Sequence, residues 1–109
     1  MVGGNAVAAV MRERKTKNAK GVYVAGDPEH VMDLRGWLDY QAGQASHLTY
    51  QAKTEDTTHV FVSDYDEGYA GLSVNGLYLK IGDRRYEVLL IDDPMGLHAH
   101  IETYLRHVG

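Results

Sequence analysis

Apolar and polar residues alternate along much of the chain with a period of two, the period of a β-strand that buries one face. The alternation is clear near the C-terminus, where every second residue from Ile101 to Leu105 suits a buried face. Tyr86–Ile91 is instead an almost unbroken apolar run of β-favouring residues, which predicts a strand buried on both faces. Between these strands, Asp92–Gly96 predicts a compact corner, because Pro94 lacks a backbone donor and a glycine accepts unusual backbone angles.

A further strand is predicted over Val31–Tyr40. Its two faces are Leu34, Leu38 and Tyr40 on one side, and Arg35, Trp37 and Asp39 on the other. Gly36 lies in the middle of this run, which predicts a bulge or a bend that lets a sheet curl. The stretch Gln41–Asp56 that follows is polar, has no clear period and predicts a mobile loop within the domain.

The N-terminal part of the pattern is weaker. Ala6–Lys15 alternates loosely and predicts a strand, although its alanines and Met11 also suit a helix, so both readings stay open. Lys17–Gly21 predicts a turn, and Val22–Ala25 predicts a short strand after it.

The second half of the chain predicts one more strand, a turn or short helix, and two hairpins. Asn75-Gly76 is a strong hairpin-turn signal, and Gly82-Asp83 predicts a second tight turn. The predicted segments are Thr57–Ser63 (strand), Asp64–Gly71 (turn or short helix), and Leu72–Val74, Leu77–Ile81 and Arg84–Ile91 (hairpin strands).

These elements predict a mainly all-β fold, a small antiparallel β-barrel of six to seven strands with one long loop and little helix. Closing the sheet into a barrel removes its open edges. With 109 residues, the chain has the length of one domain. We expect a flexible leader over residues 1–5 and a single barrel domain over residues 6–109.

Composition excludes some kinds of chemistry. The sequence has no cysteine, so it has neither disulfides nor thiolate metal ligands. No apolar run approaches the roughly 18 residues that a membrane helix needs, and we expect a cytosolic chain without a membrane partner.

Charge is distributed unevenly along the chain. Residues 12–20 carry a local charge of +4 while the whole chain carries −4, so the remaining residues carry −8. The basic residues of this segment are Arg12, Arg14, Lys15, Lys17 and Lys20. They predict either a solvated strand edge and turn, or a contact with phosphates or with an acidic partner.

His98, His100 and Glu102 form the cluster that most resembles a metal site. In an extended segment all three side chains would share one face, and two histidines with a carboxylate can bind zinc or iron. The alternative is an ordinary polar surface, which the sequence favours because the cluster directly follows a proline-glycine corner. We therefore expect neither a metal nor any other cofactor.

The sequence offers little that supports catalysis. Asp92 and Asp93 could act as paired carboxylates, but an aspartate beside a turn proline commonly accepts hydrogen bonds from nearby backbone amides. The usual nucleophile, phosphate-loop and zinc-protease motifs are missing from the sequence. The prediction is a protein that is not an enzyme.

Tyrosine is unusually frequent, with eight residues beside one tryptophan and one phenylalanine. Six of them fall in predicted loops or at outward strand positions: Tyr40, Tyr50, Tyr65, Tyr69, Tyr78 and Tyr104. Exposed tyrosines are typical of protein–protein contacts, so we expect an interface.

Three segments resemble the small head–tail connector proteins of tailed phages, in particular the head-closure or stopper proteins of siphophages and prophages. They are Leu34–Asp39, Thr58–Tyr65 and Arg85–Leu97, within a resemblance that spans most of residues 6–109. The most specific part is the run Ile-Asp-Asp-Pro-Met-Gly at 91–96.

The resemblance implies a virion structural protein that forms a ring between portal or adaptor and tail, retains packaged DNA and docks the tail. It implies assembly in the bacterial cytoplasm, incorporation at the virion head–tail interface and contact with packaged double-stranded DNA. The segment that would project into the ring channel matches 41–56 in position, with Gln44, His47, Tyr50 and Lys53 as the channel-loop candidates. The alternatives are a small β-barrel that binds nucleic acid and, less favoured, a metal hydrolase built on the histidine cluster.

Overall fold

The computed structural model of the protein describes residues 4–40 and 57–108. The elements within these ranges are β1 (Ala6–Arg12), β2 (Lys15–Lys17), β3 (Tyr23–Ala25), β4 (Glu29–Tyr40), β5 (His59–Asp64), α1 (Glu67–Ala70), β6 (Leu77–Ile81), β7 (Arg84–Asp92), a 3-10 turn (Pro94–Gly96) and β8 (His100–His107). Among the residues described, no helix has the length and hydrophobicity required to span a membrane.

Six of the strands form a closed antiparallel barrel in the order β1-β4-β5-β8-β7-β6, which closes through pairing of β6 with β1. β2 and β3 form a separate two-stranded sheet. The prediction of a small antiparallel β-barrel with little helix is confirmed. The extra pair arises because β1 ends at Arg12 and the chain begins a new strand at Lys15, where the sequence pattern predicted one continuous segment. The helical alternative for Ala6–Lys15 is wrong, since β1 is paired along both edges.

Alternating residues of the six strands fill the barrel. The interior includes Val10, Leu34, Phe61, Leu79, Val88, Ile101 and Leu105. Burial of the predicted face is therefore confirmed for Leu34 in β4 and for Ile101, Thr103 and Leu105 in β8, although Tyr104 on the other face of β8 is buried as well. The outer residues of β7 from Glu87 onwards are only half-buried, so the prediction that Tyr86–Ile91 is buried on both faces is wrong.

The short helix α1 contributes a tyrosine to this core. Asp66 caps the helix, its Oδ1 accepting a hydrogen bond of 2.9 Å from the backbone N–H of Tyr69. The Tyr69 ring is fully buried, and its hydroxyl lies 2.7 Å from the Thr103 hydroxyl on the inner face of β8. Burial raises the pKa of Tyr69, so its hydroxyl stays protonated in the folded protein.

Gly36 is buried in β4 without a bulge. Its pairing with Ala6 on β1 and Ser63 on β5 is regular, while the register shifts of the barrel lie at Val10/Met11 and Val88/Leu90. A Cβ atom at Gly36 would overlap the carbonyl oxygen of Val62 and lie 2.9 Å from the Phe61 ring. The glycine is needed for this close approach of strand and ring. The predicted bulge at Gly36 is wrong, since the irregularity of β4 lies at Val31, between the partners of Val10 and Met11. The predicted bend stays a prediction.

Asn75-Gly76 does not join two paired strands. Residues 72–74 lie outside the strands, and the backbone N–H of Leu77 bonds to the carbonyl of Val74 at 3.1 Å. Gly76 accepts a hydrogen bond of 2.9 Å from the N–H of Glu13 after β1. The turn therefore leads into β6, which pairs with β1 and β7. The second predicted hairpin, through Gly82-Asp83, is confirmed.

Candidate interaction surface

The structure places a projecting pair of strands on one side of the barrel. We call Lys15–Ala25, which contains β2, β3 and their connecting turn, the ribbon. Its turn is organised by Asn18, whose side-chain oxygen accepts hydrogen bonds from the backbone N–H groups of Lys20 (2.9 Å) and Val22 (3.1 Å). Every residue of the ribbon is exposed. A two-stranded sheet alone is marginally stable in water. The exposed side chains of the ribbon therefore add little to the stability of the fold.

The exposed side chains of the ribbon are both apolar and basic. Val22, Tyr23 and Val24 are all exposed, with 64% of the Tyr23 surface accessible. Strand register places Lys17 opposite Tyr23, and the Lys17 ammonium lies 5.3 Å from the centre of the Tyr23 ring. Such a surface can contact an apolar group and an anion together.

The predicted basic residues divide into two groups. Arg14, Lys15, Lys17 and Lys20 are exposed in or beside the ribbon. Arg12 instead donates hydrogen bonds to the backbone carbonyls of Asn75 (2.6 Å) and Ser73 (3.1 Å). Arg12 thereby holds the segment before β6 against the end of β1, a role that its place in a basic run does not reveal.

A groove of about 240 Å³ lies between the base of the ribbon and the outer wall of the barrel. Tyr23, Val24 and Pro28 line it from the ribbon side, and Tyr78 lines it from β6. The Arg85 guanidinium lies 3.9 Å from the centre of the Tyr78 ring and forms an ion pair with Glu13. This stacking helps to explain why Tyr78, which points outward, is only 7% exposed.

A second projection joins β7 to β8. We call Asp93–His98 the corner. Asp93 holds it together: Oδ1 accepts a hydrogen bond of 3.0 Å from the backbone N–H of His98, and Oδ2 lies 3.3 Å from Nε2 of the same residue. The His98 ring stacks on Tyr65 with 4.3 Å between ring centres. The prediction that an aspartate beside Pro94 bonds a nearby amide is confirmed for Asp93.

The corner displays two large apolar side chains. Met95 is 89% exposed and Leu97 is 68% exposed. Met95 has a φ of 57° and His98 a φ of 56°, left-handed conformations that side-chain-bearing residues rarely adopt. Each costs roughly 1–2 kcal/mol. The corner thus combines two unfavourable backbone conformations with two apolar side chains that remain exposed to solvent.

Acidic residues lie on the elements around the corner. They are Asp64 at the end of β5, Asp66 and Glu67 at the start of α1, Asp92 at the end of β7, Asp93 in the corner and Glu102 in β8. The charged residues of the ribbon are all basic, and the elements that adjoin the corner carry acidic residues, so the charge asymmetry of the sequence is also an asymmetry in space.

The geometry expected for a metal site is contradicted at His98. β8 begins only at His100, and His98 turns away in the left-handed region to stack on Tyr65. His100 lies 3.1 Å from Glu102 through Nε2 and Oε2, which leaves a pair rather than a triad. Among the described residues, no group of three or more histidines and carboxylates is placed to hold a metal ion.

A histidine pair that the sequence did not reveal lies at the other end of the barrel. The ring centres of His59 and His107 are 6.1 Å apart, and both rings contact Tyr86. Burial lowers the pKa of His59, and the neighbouring His107 and Arg84 lower it further. Strand register brings these residues together from β5, β7 and β8, so nothing in their spacing along the chain could have shown it.

The predicted tyrosine interface is wrong for half of its residues. Tyr69, Tyr78 and Tyr104 are buried, and Tyr65 is half-buried against His98. Tyr104 donates a hydrogen bond of 3.0 Å to Glu102, which satisfies its polar end. Among the side chains that the structure describes, which exclude those of Tyr40 and Tyr50, the strongly exposed tyrosine is Tyr23, in the ribbon.

The channel-loop candidates Gln44, His47, Tyr50 and Lys53 lie outside the described residues, as does the rest of the predicted loop Gln41–Asp56. The described surface is a small barrel with a basic ribbon and an acid-flanked corner. No protein-family model matches the chain, and no curated protein is significantly similar to it in sequence.

Proposed function

We propose that the protein is a structural component of a tailed phage or prophage virion, a head–tail connector of the head-closure or stopper type. Copies form a ring between the portal or adaptor and the tail, retain packaged DNA and dock the tail. The subunit is made in the bacterial cytoplasm, functions at the head–tail interface of the virion and carries out no catalysis.

The observation that carries the proposal is the corner. The most specific part of the resemblance to connector proteins, residues 91–96, ends in an exposed turn whose two apolar side chains contribute little to the barrel core. Asp93, His98 and Tyr65 hold this turn in a costly conformation. A rigid apolar projection of this kind suits a protein that works through contacts with other subunits.

The barrel and the charge distribution also support the proposal. A ring built from identical subunits uses two different surfaces of each subunit, head to tail around an axis. The basic ribbon and the acid-flanked corner are two such surfaces. A net charge of −4 disfavours a protein that coats DNA along its whole surface, while a local basic ribbon permits a limited contact with packaged DNA.

The test is deletion of the gene from its phage or induced prophage, followed by negative-stain electron microscopy of the lysate. We expect free tails and separate tailless heads, many of them emptied of DNA. A plasmid-borne copy should restore tailed particles, and a copy with both Met95→Ser and Leu97→Ser should not. Intact tailed particles in the deletion lysate would contradict the proposal.

A second candidate is a nucleic-acid-binding barrel, which the ribbon specifically favours. Lys17 and Tyr23 are adjacent and exposed, a combination that can contact a phosphate and stack on a base. Micromolar binding of a single-stranded oligonucleotide that weakens steeply with salt, and is lost in Tyr23→Ser, would favour this candidate. Tailed particles in the deletion lysate together with such binding would replace the connector proposal.

A further inference from the structure

We infer that the corner of one copy docks in the groove at the base of the ribbon of a second copy, with Leu97 and Met95 entering the groove. The inference names the contact between neighbouring copies and rests on the proposed function only for its place in a ring. It combines two features of the described surface that match in polarity and charge.

The two surfaces face different sides of the molecule. The ribbon leaves the barrel between β1 and β4, while the corner joins β7 to β8, and β5 and β6 separate these two pairs of strands around the barrel. Arg85, at the groove, lies near the start of β7, and the corner follows the end of that strand. About 20 Å of strand therefore separates groove and corner within one molecule. A corner can reach the groove only in another copy.

The groove suits an apolar side chain. Tyr23, Val24, Ala25 and Pro28 supply apolar wall, and Arg85, which covers the Tyr78 ring, is already paired with Glu13. A cavity of roughly 150 Å³ is enough to hold a benzene ring, so a groove of about 240 Å³ has room for the end of Leu97 or Met95. The corner brings these side chains already ordered, which lowers the entropic cost of docking.

Charge favours the same pairing. Arg14, Lys15 and Arg85 line the groove against one carboxylate, Glu13, while Asp93 belongs to the corner, with Asp92 and Glu67 on adjoining elements. Two grooves brought together would oppose like charges, and so would two corners. The attraction is between groove and corner rather than between two copies of the same surface. Since the two surfaces face different sides of the molecule, each copy can give its corner to one neighbour and its groove to another, which is the head-to-tail arrangement of a ring.

Cysteine trapping tests the contact directly, because the sequence has no cysteine of its own. The pair is Val24→Cys in the groove and Leu97→Cys in the corner, each introduced into a separate sample of the full chain. The two samples are mixed at millimolar concentration, oxidised mildly and separated on a non-reducing gel. Since a disulfide requires Cα atoms within about 7 Å, a dimer reports close approach of the two positions. The matched control mixes Val24→Cys with Val7→Cys, a site on β1 that is also exposed (53%, against 68% for Leu97).

The expected result is a disulfide-linked dimer from the Val24/Leu97 mixture, in several-fold excess over the Val24/Val7 control. A chain that carries both Val24→Cys and Leu97→Cys should give a ladder of dimers, trimers and larger species. Leu97→Cys alone should give little dimer. Equal yields in mixture and control would overturn the inference, and a strong dimer of Leu97→Cys alone would show a two-fold contact instead.

A charge change separates docking from random collision. Lys15→Glu, at the groove, should lower the trapped yield several-fold when it is added to Val24→Cys. Lys20→Glu changes the charge by the same amount at the turn of the ribbon, away from the groove lining, and should lower the yield much less. An equal effect of both variants would point to a general attraction and contradict specific docking.

The outcome is independent of the deletion experiment. Tailless heads without Val24–Leu97 trapping would leave the connector proposal standing and overturn this contact. Trapping together with tailed particles in the deletion lysate would establish head-to-tail self-association in a protein with another role.

Discussion

The barrel and the ribbon are made of the same secondary structure but use their side chains in opposite ways. In β1 and β4–β8, residues of one face meet in the interior. Among the described residues, ten buried strand residues and Tyr69 of α1 form one cluster. In β2 and β3, every residue is exposed on both faces. The barrel strands are stabilised by what they bury, whereas the ribbon depends on its few backbone hydrogen bonds and the Asn18 turn.

This difference separates the residues that make the fold from those available for contacts. Substitutions inside the barrel should change stability and, only through it, assembly. Substitutions in the ribbon should leave the barrel folded and change what it binds. The corner lies between these cases, because its framework of Asp93, His98 and Tyr65 is packed while Met95 and Leu97 are exposed.

The largest effect is expected from Gly36→Ala in the barrel. Its new Cβ would overlap the Val62 carbonyl and crowd the Phe61 ring, so β4 and β5 must move apart. We expect a loss of about 3 kcal/mol of unfolding free energy, measured by urea denaturation. In the ribbon, Gly21 has a φ of 78° with open space around it, so Gly21→Ala strains only the turn. A comparable fall in the urea midpoint of Gly21→Ala would contradict the separation of ribbon and barrel.

Tyr69→Phe should have the next largest effect. The substitution keeps the ring in the core but leaves the Thr103 hydroxyl without its 2.7 Å partner, which should cost about 1–2 kcal/mol. Adding Thr103→Val removes that unpaired hydroxyl, so the double variant should recover part of the loss in the same urea experiment. Full additivity of the two single changes would show that the hydrogen bond does not couple them.

The sequence revealed the barrel because its physical cause is local. Alternation in β4, β6 and β8 reflects the pleat of a strand with one buried face, and the Gly82-Asp83 turn needs no distant partner. The break after Arg12 was missed, since the residues on both sides of it suit strands. Asn75-Gly76 was misassigned because Arg12 and Glu13, over sixty residues away, fix that segment by hydrogen bonds.

The interaction surface was less predictable, because it depends on which side chains the fold leaves uncovered. The abundance of tyrosines predicted an interface, yet Tyr69 fills the core and Tyr78 is covered by Arg85. One usable signal was present: Asp66 suits the N-cap of a helix and accepts a hydrogen bond from the backbone N–H of Tyr69, which places Tyr69 in a helix rather than in an exposed loop. The exposure of Met95 and Leu97 could not be predicted from the sequence, because apolar residues are normally expected to be buried.

Alkaline pH should weaken the barrel through Tyr69. Because burial raises the folded-state pKa of Tyr69 above its unfolded value of 10.0, its stabilising contribution is present below about pH 10. It is lost as pH rises further, since the unfolded chain releases a proton that the folded one keeps. Unfolding free energies between pH 9 and 11 should therefore fall less steeply in Tyr69→Phe than in the original chain. If the unfolding free energy falls equally steeply with pH in both proteins, Tyr69 does not cause the loss of stability at alkaline pH.

The smallest effect on stability, and the clearest on assembly, is expected from Val24→Ser in the ribbon. Val24 lines the groove and is exposed, so its replacement should change the free energy of unfolding, measured by urea denaturation, by no more than about 0.5 kcal/mol. Val7 is also exposed but lies on β1, away from the groove, which makes Val7→Ser the matched control. If groove and corner form the contact between copies, Val24→Ser should sharply reduce the number of tailed particles in a complementation assay and Val7→Ser should not. A Val24→Ser chain that unfolds early would instead mean that the ribbon is part of the barrel's cooperative unit, and the contrast between the two regions would then be one of exposure alone.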